Sequence, residues 1–514
     1  MIFISTAVTI ALGVICARII YLCYFHPLAR YPGPFVARFT NLWRLFSFLG
    51  GQHHIDEQKL HQRYGHVVRV APNWLSFSDL TDFEAIYGFN KYVEKGVFYD
   101  FWRDRAKGSE NIFSAKTDAD HREKKRKVFG PALSNAKIVG YDPVITKNAG
   151  VLLSRLELLL QNNSASDKPV PVNIAGLVHR YTIDTMLEVL YGPTVCPQPY
   201  TDAPTTRGIP KTLRGMLKMA WSRSLFPFFG WLMATRPMAA LTRRPTRNEQ
   251  GDLTNISALA AASQSLIFSH PEQLTRSKQP SIVKNWAELP ADGRRKMGPS
   301  EVWKEAFNLV LAGPGSTAAA LTAVLFMLGL PEGREWQEKI RLETEGMEVK
   351  AGSVSEFPVL FAVIKETLRL HPPFPTAFPR TITPGAENAI PNLPAALPAG
   401  TVVSANTFVL GRSKQIWGED AGEWKPQRWL LESEHEKQEM EDKFVVFSKG
   451  SRQCVGRELA LLTLAKAVVS VAKRWEFRSE GELKGNSFLE MAYDECWMTF
   501  KELSLDTRHG DPLN

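Results

Sequence analysis

The sequence predicts a mainly α-helical fold with a small β-rich region, preceded by a single N-terminal transmembrane helix. Three observations favour this fold. An almost unbroken apolar run covers residues 2–25, helical patterns dominate residues 118–310, and strand-like alternation surrounds a turn within residues 66–78. The chain has 514 residues, enough for two domains or for one large domain with an anchor. We expect an anchor over residues 1–25 and one folded domain over residues 26–514.

The N-terminal apolar run is long enough to cross a membrane as a helix. At ~1.5 Å per residue, residues 2–25 give about 36 Å, compared with about 30 Å of hydrocarbon in a bilayer. A cleaved signal peptide is the alternative, but the run lacks a basic n-region and a small-x-small cleavage site before His26. Arg30, Arg38 and Arg44 follow the run. The positive-inside rule therefore predicts that the rest of the chain lies in the cytosol.

The middle of the chain contains a joint, a break and an ambiguous segment. Residues 31–34, Tyr-Pro-Gly-Pro, form a stiff joint after the anchor. The helical pattern is interrupted at residues 162–172. Residues 208–247 alternate cations with aromatic and aliphatic side chains. This segment is either a second, reversible membrane contact or a helical hairpin that buries its aromatic residues, and the sequence leaves both interpretations open.

Two helices are predicted in the second half. A long helix begins beyond Glu301 and contains Pro314, which removes one backbone hydrogen bond and predicts a kink. Glu366 and Arg369 stand three residues apart on a second helix, so they share a face and can form an ion pair. Such pairs are common on exposed helices, so this one carries little weight alone. The Pro-rich residues 372–398 are expected to form loops and short strands.

Composition and charge narrow the functional class. The formal net charge of +9 is modest for this length and comes without an RNA-binding or zinc signature, which argues against nucleic acid as a partner. A membrane surface or an acidic protein suits this charge better. The cysteines are an odd number without paired spacing, which favours a reducing compartment over a disulfide framework. They are Cys16, Cys23, Cys196, Cys454 and Cys496.

One motif carries the main chemical signal. Residues 447–456 have the sequence Phe-Ser-Lys-Gly-Ser-Arg-Gln-Cys-Val-Gly and are called the cysteine loop below. Gly450 permits a positive φ, Gly456 leaves room for a flat ligand, and Arg452 offers a forked cation for a carboxylate. These features surround Cys454 with the groups that a haem thiolate ligand needs.

The predicted helix after the cysteine loop supports this interpretation. Residues 455–472 have a helical pattern, which places Cys454 at a helix N-terminus, where the helix dipole favours a thiolate. A thiolate on haem iron favours cleavage of the O–O bond of bound dioxygen. The alternative, that Cys454 is only a small buried hydrophobic residue, does not explain the pattern around it.

The order of three motifs resembles the cytochrome P-450 superfamily of haem-thiolate monooxygenases over essentially the whole chain. These motifs are Glu366-x-x-Arg369, then Pro426-Gln427-Arg428-Trp429, then the cysteine loop. His-Pro-Leu at 26–28 and Trp-Gly-Glu-Asp at 417–420 resemble the fungal microsomal branch. The resemblance implies a mainly helical fold enclosing haem, with residues 26–514 as the haem-thiolate catalytic domain.

The resemblance also implies roles for individual residues. Cys454 resembles the axial ligand of haem b, and Arg452 and Arg380 resemble arginines that pair with haem propionates. Arg126 matches the arginine of the family's W-x-x-x-R helix, although Arg122 stands at the tryptophan position. The expected cofactor-binding residues also include Phe447, Gly450 and Gly456, all in the cysteine loop. Glu366, Arg369 and Arg428 resemble a charge cluster with a role in folding.

The helix that activates oxygen departs from the family pattern. Its residues 312–317 are Ala-Gly-Pro-Gly-Ser-Thr, where the family has an acid and an alcohol that relay protons. Gly315 replaces the acid and Ser316 replaces the threonine, while Thr317 is a second candidate hydroxyl. Ser316 can still position water. Proton delivery must then come through water, through substrate or through a carboxylate from elsewhere.

We therefore expect a single-pass protein of the endoplasmic-reticulum membrane that inserts one oxygen atom from dioxygen into a lipophilic small molecule. The fungal resemblance suggests a secondary metabolite as substrate. The chain lacks a glycine-rich dinucleotide fingerprint and a flavin domain, so electrons are expected from a separate NADPH-dependent cytochrome reductase. Residues 124–127 with Lys443 and Lys449 offer a basic face for this flavoprotein, although a solvated charged face is the simpler explanation for each lysine.

Two alternatives remain at this point. The loss of the acid at Gly315 suggests a haem-thiolate peroxide isomerase or dehydratase that needs no reductase. It also leaves open a non-catalytic, membrane-bound haem-binding protein.

Overall fold

The computed structural model describes most of the chain. It covers residues 2–89, 93–102, 110–163, 169–192, 209–226, 228, 232, 235, 264, 267–268, 279–287, 297–391 and 393–503. The helices are α1 (Ile2–Ile20), α2 (Leu42–Leu49), α3 (His53–Tyr64), α4 (Leu80–Tyr87), α5 (Asp118–Lys124), α6 (Gly130–Leu133), α7 (Asn135–Asn163), α8 (Ala175–Tyr191), α9 (Ile209–Leu225), α10 (Ile282–Ala287), α11 (Pro299–Gly329), α12 (Arg334–Glu343), α13 (Pro358–Leu370), α14 (Thr407–Leu410), α15 (Lys414–Trp417), α16 (Glu434–Lys443) and α17 (Arg457–Arg474). The predicted mainly helical fold is confirmed.

The strands form three small sheets. They are β1 (Val67–Ala71), β2 (Trp74–Phe77), β3 (Val93–Glu94), β4 (Val172–Asn173), β5 (Arg380–Ile382), β6 (Val402–Ala405), β7 (Trp475–Glu480), β8 (Gly485–Ser487), β9 (Met491–Tyr493) and β10 (Trp497–Glu502). The largest has the order β1-β2-β6-β5-β3, and the others are β4-β10-β7 and β8-β9. The predicted strand-turn-strand unit is the β1-β2 hairpin, in which Val67 pairs with Phe77.

Two helices are long and apolar enough to cross a membrane, but their burial separates them. Residues Thr6–Phe25 are only 11% buried, whereas Pro299–Gly329 is 72% buried. The first is compatible with a single membrane anchor. The second, called the central helix below, packs against α8, α13 and α17 and forms part of the protein core. Its apolar composition therefore reflects burial inside the protein.

The structure shows whether the first half of the ambiguous segment 208–247 is buried. Helix α9 buries Trp221, whose ring stacks on Phe48 at 4.0 Å and on Phe98 at 4.2 Å between centroids. This half belongs to the core. Farther on, Phe228 and Leu232 are exposed, and the cations from Arg236 to Arg247 lie outside the described residues.

Candidate active site

The cysteine loop is held in a strained, closed conformation. Ser448 and Gly450 both have positive φ, at 60° and 70°. The prediction for Gly450 is confirmed, and it has a second cause: a Cβ there would lie 2.6 Å from the carbonyl oxygen of Tyr87. The Cys454 N–H donates to the carbonyl oxygen of Phe447 at 2.9 Å, which closes the loop. Only glycine fits at position 450.

The Cys454 thiol is accessible, yet protein atoms surround it. Burial raises the pKa of the thiol, while the Gly456 backbone N–H, Lys125 and Arg457 act in the opposite direction. The protein alone thus does not favour the expected thiolate. A coordinated metal cation deprotonates a thiol by taking the place of its proton. Helix α17 begins at Arg457, two residues later than predicted, and a Cβ on Gly456 would meet no atom within 4 Å.

A group of buried basic side chains lies near the cysteine loop. This basic cluster consists of Lys95, His121, Arg380 and Arg452. Arg452 pairs with Asp118 at 2.8 Å, and Arg380 donates to the Tyr99 hydroxyl at 2.6 Å. The Lys95 ammonium donates to the carbonyl oxygen of Phe113 at 2.8 Å, and that of Ile112 at 3.1 Å.

Burial and mutual repulsion lower the pKa values of the side chains in the basic cluster. Burial lowers the pKa of Lys95 well below its usual value, that of His121 to about 2 and that of Arg452 to about 10. Within the cluster, the neighbouring cations lower these pKa values further. Asp118 acts to raise the pKa of Arg452. His121 Nε2 is buried without a hydrogen-bond partner among the described residues. Further carboxylates would complete this cluster.

The structure does not bring Arg126 to the basic cluster. Arg126 and Arg122 are exposed, whereas His121, one residue before the position matched to the family tryptophan, is buried. Lys125, four residues after His121, donates to the carbonyl oxygen of Gln453 at 3.5 Å. A π-turn at Lys125–Phe129 follows α5 and shifts the helical faces. The expected site role of Arg126 is therefore corrected in favour of its neighbours.

The central helix presents two hydroxyl groups. Ser316 donates to the carbonyl oxygen of Ala312 at 2.7 Å, and Thr317 donates to that of Gly313 at 2.8 Å. Both side chains are partly exposed, whereas Pro314 and Gly315 are buried. Because each hydroxyl proton is engaged by the backbone, each oxygen remains able to accept a hydrogen bond.

A comparison with known families decides the assignment. The model of the family Cytochrome P450 matches residues 32–491. This chain belongs to the cytochrome P450 family. The predicted resemblance is confirmed, and with it the class of enzyme, a monooxygenase among the oxidoreductases.

Several fungal P450s are similar to this one along most of its length. The chain is 25% identical over 489 residues to cytochrome P450 monooxygenase gsfF of Penicillium aethiopicum, which covers 92% of each protein. It is 27% identical over 494 residues to cytochrome P450 monooxygenase sthD of Phaeosphaeria nodorum, covering 94% of this chain and 95% of the relative. Cytochrome P450 monooxygenase mpaDE of Penicillium roqueforti is 26% identical over 469 residues, or 87% of this chain. The chain spans about half, 52%, of that longer relative.

The residues of this P450 fit the haem-thiolate cofactor of the family. Cys454 offers an accessible sulfur, Gly456 leaves open space beside it, and the basic cluster has charge for carboxylates. The orphaned Nε2 of His121 is a further polar atom in that cluster. Lys95, His121 and Asp118 were missed in the sequence. The four-residue spacing of His121 and Lys125 on one helical face is the signal that could have found His121.

The predicted charge cluster of this P450 is present and buried. Glu366 and Arg369 form a bidentate pair at 2.7 and 2.8 Å, and Arg428 reaches Glu366 at 3.0 Å. The Trp429 indole N–H also donates to Glu366, at 3.0 Å. Arg369 in turn donates to three backbone carbonyl groups, including that of Ala421 at 2.6 Å. This cluster ties α13 to the loop before the cysteine loop, which is a structural role.

Proposed function

We propose that this P450 inserts one oxygen atom of dioxygen into a lipophilic small molecule of fungal secondary metabolism. The observation that carries the proposal is the accessible Cys454 thiol in a loop closed beside a buried basic cluster. In the proposed holoenzyme, Cys454 binds the iron of haem b. Arg380, Arg452 and Lys95 bind its propionates.

The cofactor and the central helix have separate tasks in this proposal. Haem bound through a thiolate supplies dioxygen activation and favours O–O cleavage. Ser316 and Thr317 keep their hydroxyl protons on the carbonyl oxygens of Ala312 and Gly313, and their oxygen atoms accept hydrogen bonds from water. They thereby hold water in place for proton transfer.

The proposed electron donor is a separate NADPH-dependent cytochrome reductase that docks on a basic face. Arg122, Arg126 and Lys127 are exposed beside Lys125, which contacts the cysteine loop. Lys443 and Lys449 are partly exposed. An acidic flavoprotein surface would be attracted to these cations, mainly through faster association.

The proposed location is the endoplasmic-reticulum membrane, with residues 1–25 as a single-pass anchor and residues 26–514 as a cytosolic catalytic domain. The exposed apolar helix at Thr6–Phe25 supports the anchor. The arginines after the helix support the orientation.

The test combines purified haem-loaded protein, the reductase, NADPH and an extract of lipophilic fungal metabolites. We expect products that carry one atom of isotopically labelled dioxygen and that require both reductase and NADPH. Conversion of a hydroperoxide without any electron supply would instead identify an isomerase or dehydratase. Haem binding without conversion of either substrate class would support the non-catalytic alternative.

A further inference from the structure

Glu490 lies where the missing acid of the central helix would stand. It belongs to the turn between β8 and β9, and its side chain is buried against Gly315. A Cβ built on Gly315 would overlap the Oε1 atom of Glu490 and lie 2.6 Å from its Cδ and 2.9 Å from its Oε2. The carboxyl group of Glu490 therefore fills the volume that a side chain at position 315 would need.

The turn that carries Glu490 is fixed on both sides. The Met491 N–H donates to the carbonyl oxygen of Pro373 at 2.8 Å, and the Ser487 N–H donates to that of Gly51 at 2.8 Å. The Ser487 hydroxyl also lies 3.2 Å from the Thr376 hydroxyl. These contacts hold the carboxyl group at the central helix rather than leaving it on a free hairpin tip.

A small cavity joins Glu490 to the central helix at Pro314. Val310, Pro314, Gly315 and Glu490 are among its lining residues, and it has a volume of about 20 Å³ for the centre of a water molecule. This is room for about one ordered water. Because Pro314 has no N–H, it cannot donate the usual helical hydrogen bond to the carbonyl oxygen of Val310. The cavity thus has space for water beside the Glu490 carboxyl group, which can bond to it.

Burial beside this cavity favours the protonated form of Glu490. Burial raises the pKa of Glu490 to about 8, while Arg214 of α9 acts in the opposite direction. Burial, aided by Arg214, lowers the pKa of His179 of α8 to about 4, so this neighbour is neutral. Arg214 is itself paired with the exposed Asp494, at 2.9 Å between its Nη1 and Oδ2.

We propose that Glu490 replaces the absent acid at position 315 and supplies protons, through water in the cavity beside Pro314 and Gly315, to the Ser316 hydroxyl. The inference rests on the proposed monooxygenase function. Each turnover consumes one dioxygen, two electrons from the reductase and two protons; one oxygen atom enters the substrate and the other leaves as water. Glu490 releases one proton at a time and regains it from solvent beside the Arg214–Asp494 pair.

The first variant, Glu490→Gln, keeps the size of the side chain but cannot exchange the acidic proton. We expect product per NADPH to fall at least about tenfold, with a matching rise in hydrogen peroxide, because general acid catalysis contributes this much or more. Haem content and substrate affinity stay at wild-type values. Glu482→Gln, an exposed glutamate before the same hairpin, is the matched control. If Glu490→Gln formed as much product per NADPH as wild type, the inference would be overturned.

The second experiment moves the acid back to the helix. In Gly315→Asp the new side chain meets the Glu490 carboxyl group, so we expect a lower melting temperature than in wild type. The double variant Gly315→Asp with Glu490→Ala removes this overlap. It should regain the wild-type melting temperature. It should also form more product per NADPH than Glu490→Ala alone. A double variant that recovers neither would show that the two positions do not share one acid.

A third readout needs no turnover. The raised pKa of Glu490 means that the folded protein binds this proton more tightly than the unfolded chain does. Stability should therefore fall as the pH rises from the usual glutamate range to about 8, and Glu490→Gln should remove this part of the decline. Equal pH profiles would overturn the buried, protonated state. If wild type forms no NADPH-dependent product, the proposed function fails. The pH dependence of stability would still show whether Glu490 is buried and protonated.

Discussion

Cys454 combines an accessible sulfur with surroundings that oppose its charge. Because burial raises the pKa of the thiol, the thiolate is expected to form with the metal rather than before it. Apo-protein should therefore show weak reactivity toward thiol reagents at neutral pH. That property separates this ligand cysteine from cysteines activated by their protein environment.

The first prediction concerns this ligand. Cys454→Ala should abolish the thiolate Soret band in the carbon monoxide spectrum of the reduced protein. Cys16→Ala, at an exposed cysteine of the anchor helix, should keep the band. If Cys454→Ala left the band unchanged, the assignment of the iron ligand would fail.

The second prediction compares two arginines that the sequence placed in the same site. Arg380 is buried in the basic cluster, whereas Arg126 is exposed. Arg380→Met should speed haem dissociation roughly tenfold, because a hydrogen bond to a charged group contributes about 1.5–3 kcal/mol. Arg126→Met should leave the dissociation rate unchanged. Transfer of haem to an apo-globin acceptor measures both rates, and equal rates would contradict the geometry.

The sequence predicted local features of the site better than distant ones. The positive φ of Gly450 follows from one short segment, so no tertiary information was needed to predict it. The motif match chose Arg122 and Arg126, which are exposed, whereas His121 is buried, because the inward face of a helix is set by packing that a motif does not encode. Glu490 could not be found at all. Its meeting with Gly315 depends on where a β-hairpin far along the chain docks.

At the scale of elements, the Glu366–Arg369 cluster is where helix α13 meets the loops around Ala421 and Trp429. The three-residue spacing predicted the ion pair, but spacing alone could not predict burial. Burial follows from the Trp429 and Arg428 side chains and the Ala421 carbonyl that complete the hydrogen bonds. The pair is thus a packing element in which every charged atom needs its partner.

The third prediction tests this cluster. Arg369→Ala leaves the Glu366 carboxylate buried without its main partner and should lower the free energy of unfolding by about 3–5 kcal/mol. Lys437→Ala removes an exposed pair with Glu434 of the same spacing and should cost less than about 1 kcal/mol. Urea denaturation of the haem-loaded protein measures both. Similar losses for the two variants would show that burial is not the cause.

At the scale of the whole molecule, apolar side chains next to the anchor remain uncovered. Phe35 and Phe46 are 63% and 67% exposed, and Leu42 lies between them on α2. The Asn41 side chain donates to the carbonyl oxygen of Leu225 at 2.7 Å, which links this patch to the end of α9. Phe228, just beyond α9, is exposed as well. If the N-terminal helix is a membrane anchor, as proposed, this face is suited to the surface of that membrane.

The fourth prediction follows from this face. A polarity-sensitive fluorophore attached at Phe46→Cys should report an apolar environment when the full chain is in lipid nanodiscs. The same label at Phe89→Cys should report water, although Phe89 is equally exposed in the protein, at 66%. Phe89 lies beside Gly88, which contacts the cysteine loop rather than the anchor. Identical emission at the two positions would contradict a membrane-facing patch.

The overall architecture was predictable because long-range patterns of hydrophobicity and the order of the motifs both indicate it. The exposed apolar N-terminal helix, the central helix and the β1-β2 hairpin all appear where the sequence placed them. The five-stranded sheet was not predictable, because Trp74 pairs with Val402 across most of the chain. Pairing at such a distance is set by packing, which a local pattern does not encode.

Tyr87 connects parts of the molecule that serve one cofactor. Its hydroxyl donates to the carbonyl oxygen of Phe378 at 2.7 Å and accepts from the Ala405 N–H at 3.2 Å, while its own carbonyl group lies against Gly450. This one residue, through its hydroxyl and its backbone carbonyl group, therefore fixes the spacing between the cysteine loop and the strand that carries Arg380. The β8-β9 hairpin lies outside this linkage. For protein engineering, the β8-β9 hairpin could be altered without moving the cysteine loop relative to Arg380, provided that Glu490 is kept.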